Sequence, residues 1–130
     1  MARAELEQLR RALGDQLQHR AHAEERLRMH EQTVRHEQAL ALRDYESARA
    51  YGGYAALALT QQRSINSEIG AIDAECERLR VLITGAHVEV RKFERLLELQ
   101  EEREKVAAEK REMDELDEMA TIRAGQSSRR

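Results

Sequence analysis

"AYGGYAAL", Ala50 to Leu57, is the one stretch of the chain in which two glycines adjoin. Its surroundings are uniformly helix-forming. An average chain of 130 residues would hold roughly six prolines at about 5% usage, yet this one has none, and Ala, Leu, Glu, Arg and Gln dominate it. A glycine pair set between two long helical stretches is either the bend of a hairpin or a soft spot in one long rod. The apolar pattern on its two sides decides between them.

Upstream, an apolar or small residue recurs every seven positions: Leu6, Leu13, Leu27, Val34, Ala41 and Ala48, with Arg20 as the interruption. This is one seam position of a coiled coil, sustained for about six heptads. The companion position is more polar, reading Leu9, Gln16, Ala23, His30, Glu37 and Asp44. Downstream, Ile65, Ile69, Ile72, Cys76, Leu79, Ile83, Ala86, Val90, Phe93 and Leu97 alternate spacings of four and three. Such spacing keeps a narrow stripe on one face of a helix underwound to 3.5 residues per turn.

A reversal at Gly52 and Gly53 pairs residues whose numbers add to about 106. The two stripes then meet: Leu9 faces Leu97, Leu13 faces Phe93, Leu27 faces Leu79, Val34 faces Ile72 and Ala41 faces Ile65. A heptad repeat also permits slides of a full repeat. In this register Gln16 faces Val90, Arg20 faces Ala86, His30 faces Cys76 and Glu37 faces Ile69. Burying such polar groups unpartnered costs about 1–3 kcal/mol each, so either the helices splay or those side chains escape to the rim, leaving apolar surface near Ile69 for another protein; ordinary imperfection of a long coiled coil is the alternative.

The expected fold is therefore all-α, a long antiparallel two-helix coiled-coil hairpin with an overhanging C-terminal helix. Helix 1 covers about 3–50, the turn 51–56 with Tyr51 and Tyr54 over it, helix 2 57–123, and a tail 124–130, all in one domain. Beyond Leu97 the first stripe fails, and Leu99, Val106, Met113 and Ala120 begin another. From Glu98 to Glu118 there are ten acidic and four basic residues, a local charge of 4 − 10 = −6. Pairing exhausts helix 1 near Gln100, so Glu101 to Arg123 overhangs by roughly 30 Å at 1.5 Å per residue. A helix this polar is marginal alone in water and gains stability by docking. Gly125 is the expected terminator.

Composition excludes several function classes. With 36% charged and 3% aromatic residues and a mean hydropathy of −0.78, the chain lacks the apolar content of an ordinary globular core. A net charge of −3 provides no attraction for nucleic acid or an anionic membrane. No apolar run approaches the ~20 residues that span a bilayer, and the first residues, "MARAELEQLRRALGDQL", have no signal core. Cys76 is the single cysteine and forms no internal disulfide. A cytoplasmic protein without cofactor or metal is the expectation.

Chemistry is sparse in this pattern. His19 and His22 share a helix face, but zinc takes four ligands, or three and a water, and His30, His36 and Cys76 offer no regular spacing. Nucleophilic catalysis needs a walled pocket, which a two-helix rod lacks. "YGGY" has neither the lysine nor the strand-to-helix context of a phosphate loop. No enzymatic role is expected.

The segment "EKREMDELDEMATIR", Glu109 to Arg123, together with "DYESARAYGGY" and "QQRSINSEI", resembles the FliJ family of flagellar type III export proteins. The resemblance covers most of Asp44 to Arg123, and the C-terminal segment is its specific part. It implies a cytoplasmic accessory protein, peripherally associated with the membrane-bound export apparatus. In that family the hairpin ends act as a stalk, entering the pore of the hexameric export ATPase and linking it to the transmembrane export gate, with export chaperones as further partners. It assigns Met113, Asp114, Glu115, Leu116 and Arg123 to the ATPase-contacting end. Ile65, Ile69 and Ile72 fall at the gate-contacting patch, matching it in apolar character but not in aromatic content. The short hydrophobic-basic lead of many members is missing. Three alternatives stand beside this: the equivalent stalk of a virulence secretion system, a generic coiled-coil scaffold or homodimerising tether, and a metal-buffering protein using His19 and His22.

Overall fold

In a computed structural model that describes residues 1–128, the chain is an all-α helical hairpin built from two helices, α1 (Ala2–Arg43) and α2 (Tyr45–Ser128). It divides into two units, Met1–His87 and Val88–Arg130. The first holds α1 packed antiparallel on the early part of α2. Arg20 meets Asp73, Arg26 meets Glu68 and His30 meets Ala58, so numbers rise on one helix as they fall on the other.

The reversal is not at the glycines. It occurs at Asp44, a single extended residue with φ −135° and ψ 131° between the two helices. Helix 1 thus ends at Arg43 rather than near position 50, and the expected turn 51–56 lies inside α2. Asp44 serves both ends at once. Its N–H donates to the Leu40 carbonyl at 3.1 Å, closing α1, and its carbonyl accepts the Ala48 N–H at 3.0 Å, opening α2. Its carboxylate accepts the Glu46 N–H at 3.2 Å and the Ser47 hydroxyl at 3.3 Å. The first of these satisfies a backbone N–H that a helix start leaves without a partner.

Gly52 and Gly53 are helical, and no glycine among the described residues has a positive φ. Tyr51 and Tyr54, one turn apart on α2, are half-buried with ring centroids 6.2 Å apart instead of covering a turn. Nor does Gly125 end α2, which runs to Ser128. The last two residues of the expected tail lie outside the described residues.

The seam itself follows the sequence pattern closely. On α1, Leu6 and Ala23 are buried, and Leu9, Leu13, Gln16, Arg20, Leu27, His30, Val34, Glu37 and Ala41 are half-buried. On the early part of α2, Ile65, Ile69, Ile83 and Ala86 are half-buried and Ile72, Cys76 and Leu79 buried. What changes is the register. Partner numbers add to 93 for Arg20 with Asp73 and 94 for Arg26 with Glu68, short of 106 by close to the 14 of two heptads. Ile72 accordingly packs with Ala23 and Cys76, not with Val34. The slide keeps stripe against stripe, which is why periodicity alone admits both registers.

The second unit is described from Val88 to Ser128 and consists of α2 residues only. Val90 is buried and Leu99 half-buried, and every residue from 100 to 128 is exposed. Phe93 and Leu97, expected to continue the stripe, are exposed.

Candidate functional site

Two surfaces were expected to carry function, and they fare differently. Ile65, Ile69 and Ile72 lie in the hairpin seam. Ile72 is 9% exposed within a cluster with Ala23 and Cys76, and Ile69 packs against that cluster together with Leu13. Part of the expected free apolar surface near Ile69 is thus covered by α1, which leaves Ile65 and Ile69 half-buried and Ile72 buried.

The reason is that two of the polar interruptions of α1, Arg20 and His30, find partners on α2 instead of forcing the helices apart. Arg20 donates through Nε to Asp73 Oδ1 at 2.5 Å and also contacts Glu24 on its own helix. This hydrogen bond and the charge behind it hold the Asp73 carboxyl below its ordinary range and the Arg20 guanidinium above its own. Arg26 reaches Glu68 at 2.6 Å. His30 Nε2 lies 2.9 Å from the Ala58 carbonyl oxygen, and because that oxygen only accepts, Nε2 carries the proton. Among the described residues no buried side-chain nitrogen or oxygen lacks a partner.

Cys76, 2% exposed, sits in the seam as a small apolar residue, near a recess bordered by Leu17, Arg20, Asp73 and Arg80. Both Arg20 and Asp73 are already engaged with each other there. Among the described residues no three His, Cys, Asp or Glu side chains are placed to share a metal ion, and no helix is long and apolar enough to cross a membrane.

Met113, Asp114, Glu115, Leu116 and Arg123 are all exposed on the second unit's helix. Spacing separates them into two sets. Met113, Leu116 and Arg123 fall on the three-four alternation that runs Leu99, Glu102, Val106, Glu109, Met113, Leu116, Ala120, Arg123, while Asp114 and Glu115 fall beside it. Val106, Met113 and Leu116 are 58%, 64% and 65% exposed, so the apolar members of this face have no cover within the unit. A shallow recess between Leu99, Glu102, Arg103, Val106, Ala107 and Lys110 lies along the same face.

Sequence reading missed Asp44 as the reversal, although an aspartate directly before Tyr45-Glu46-Ser47 is a recognisable N-cap. The glycine pair was the louder signal. Comparison with family models, with curated proteins and with solved structures gives no match, so the likeness to the FliJ family rests on the residues quoted for it.

Proposed function

We propose that this chain is a stalk-type accessory protein of a type III export apparatus, of the flagellar kind that the FliJ-like segment indicates. In this role it is cytoplasmic and non-enzymatic, associates peripherally with the membrane-bound apparatus, enters the hexameric export ATPase and couples it to the export gate, with export chaperones as further partners. The observation that carries the proposal is the helix of the second unit. It presents Met113, Leu116 and Arg123 on one uncovered face, in the segment where the resemblance is most specific. The helical hairpin of the first unit supplies the paired-helix element such a stalk needs. Ile65, Ile69 and Ile72, which the resemblance assigns to the gate contact, lie in the hairpin seam, Ile65 and Ile69 half-buried and Ile72 buried.

Truncation after Gln100 tests the role. The shortened chain should keep the hairpin's helical signal and melting transition while losing stimulation of the export ATPase. Full stimulation by the truncated chain would refute the role.

A further inference from the structure

The face that runs from Leu99 to Arg123 is not a plain apolar stripe. In its first half, glutamates occupy every other seam position, Glu102 and Glu109 alternating with Leu99, Val106 and Met113. Of the ten carboxylates between Glu98 and Glu118, only Glu98 has an ion-pair partner among the described residues, Arg95 at 3.3 Å. In the first unit seven of thirteen carboxylates, Glu7, Glu24, Glu25, Glu68, Asp73, Glu75 and Glu77, pair with an arginine.

We infer that this face docks into a protein groove that is apolar along its floor and presents Arg or Lys side chains opposite Glu102 and Glu109. The inference rests on the stalk role only for which protein carries the groove. Its basis is charge complementarity. Seating Val106 and Met113 in a groove necessarily draws Glu102 and Glu109 out of water with them, and a desolvated carboxylate needs a cation and hydrogen bonds to be tolerated.

The same constraint weighs against the other occupants. A second copy aligned in parallel sets Glu102 against Glu102 and Glu109 against Glu109. A second copy aligned antiparallel, with Leu99 opposite Leu116, sets Glu109 against Val106 and Glu102 against Met113. Each arrangement sets the seam carboxylates opposite another carboxylate or an apolar side chain. An anionic membrane or a nucleic acid repels a segment whose local charge is −6.

The test titrates the full chain with two probes, at low and high salt. One is the export ATPase hexamer of the same organism. The other is a synthetic amphipathic helix with leucine and lysine alternating at its seam positions. Wild type is compared with the double substitutions E102Q/E109Q and V106S/M113S, whose helix content is checked by circular dichroism. The lysine helix should bind wild type, each double substitution should weaken it at least about tenfold, and salt should weaken wild type far more than E102Q/E109Q. A lysine helix that fails to bind, or that binds E102Q/E109Q as tightly as wild type, overturns the inference. So does concentration-dependent self-association that survives E102Q/E109Q, or ATPase binding that E102Q/E109Q leaves unchanged, which would leave the stalk role intact. Peptide binding as expected with no ATPase binding supports the docking face and removes the stalk role.

Discussion

In the hairpin, Arg20 interrupts the apolar stripe of α1 and meets Asp73 on α2 at 2.5 Å. In the C-terminal unit, Glu102 and Glu109 interrupt a stripe of the same seven-residue period, and neither has an ion-pair partner among the described residues. The difference teaches how to read a polar residue at a seam position. Where the partner helix belongs to the same chain, Arg20 and His30 are matched across the seam and the seam closes around them. Where the chain supplies no such helix, the interruption describes a partner that lies outside it.

Substitutions at equivalent apolar positions should give the widest separation between the two regions. Leu79 is 3% exposed, and Leu79→Ala should cost about 2–5 kcal/mol by the usual range for a buried leucine, lowering the hairpin's melting temperature or urea midpoint. Val106→Ala should stay within about 0.5 kcal/mol of wild type in the same measurement, as exposed substitutions do. Equal losses at the two positions would mean that the C-terminal face is covered after all.

The position of the reversal gives the next effect. Asp44→Ala removes the carboxylate that caps α2 and should cost about 1 kcal/mol. Gly52→Ala and Gly53→Ala should each stabilise by about 0.8–1.0 kcal/mol, the difference in helix propensity. An added Cβ meets nothing within 4 Å at either site. A turn at the glycines with positive φ would reverse both signs, so chemical denaturation of the three variants discriminates the two hairpins directly.

The smallest effect is at acid pH. Hydrogen bonding from Arg20 holds Asp73 below its ordinary value of 3.8, so the folded chain binds that proton less readily than the unfolded one. The resulting stabilisation is fully present above pH 3.8 and is lost as pH falls through the lowered folded value. Arg20→Gln should flatten this acid limb of the stability curve while leaving it unchanged in shape near neutrality.

The seam was legible because burial on one face of a long helix demands a seven-residue period, and Leu6 to Ala41 and Ile65 to Leu79 display it. The exposed C-terminal face was legible for the converse reason, since the first stripe fails beyond Leu97 and ten acidic residues crowd Glu98 to Glu118. The uncovered state of Met113 and Leu116 follows from that. The fate of Ile65, Ile69 and Ile72 was not legible, because whether a half-polar seam splays depends on partners that sit about fifty residues away, as Asp73 does from Arg20.

By itself, then, the sequence determined two helices, the face each one buries and the acidic character of the far end, all of which are local consequences of residue type and period. Tertiary structure alone decided the register, the reversal at Asp44 and the pairing of Arg20, Arg26 and His30 across the seam. A heptad repeat looks the same after a slide of seven residues, so apolar periodicity leaves several hairpins nearly equal. The choice among them falls to one capping carboxylate and a few cross-helix polar contacts, whose geometry exists only once the helices are side by side.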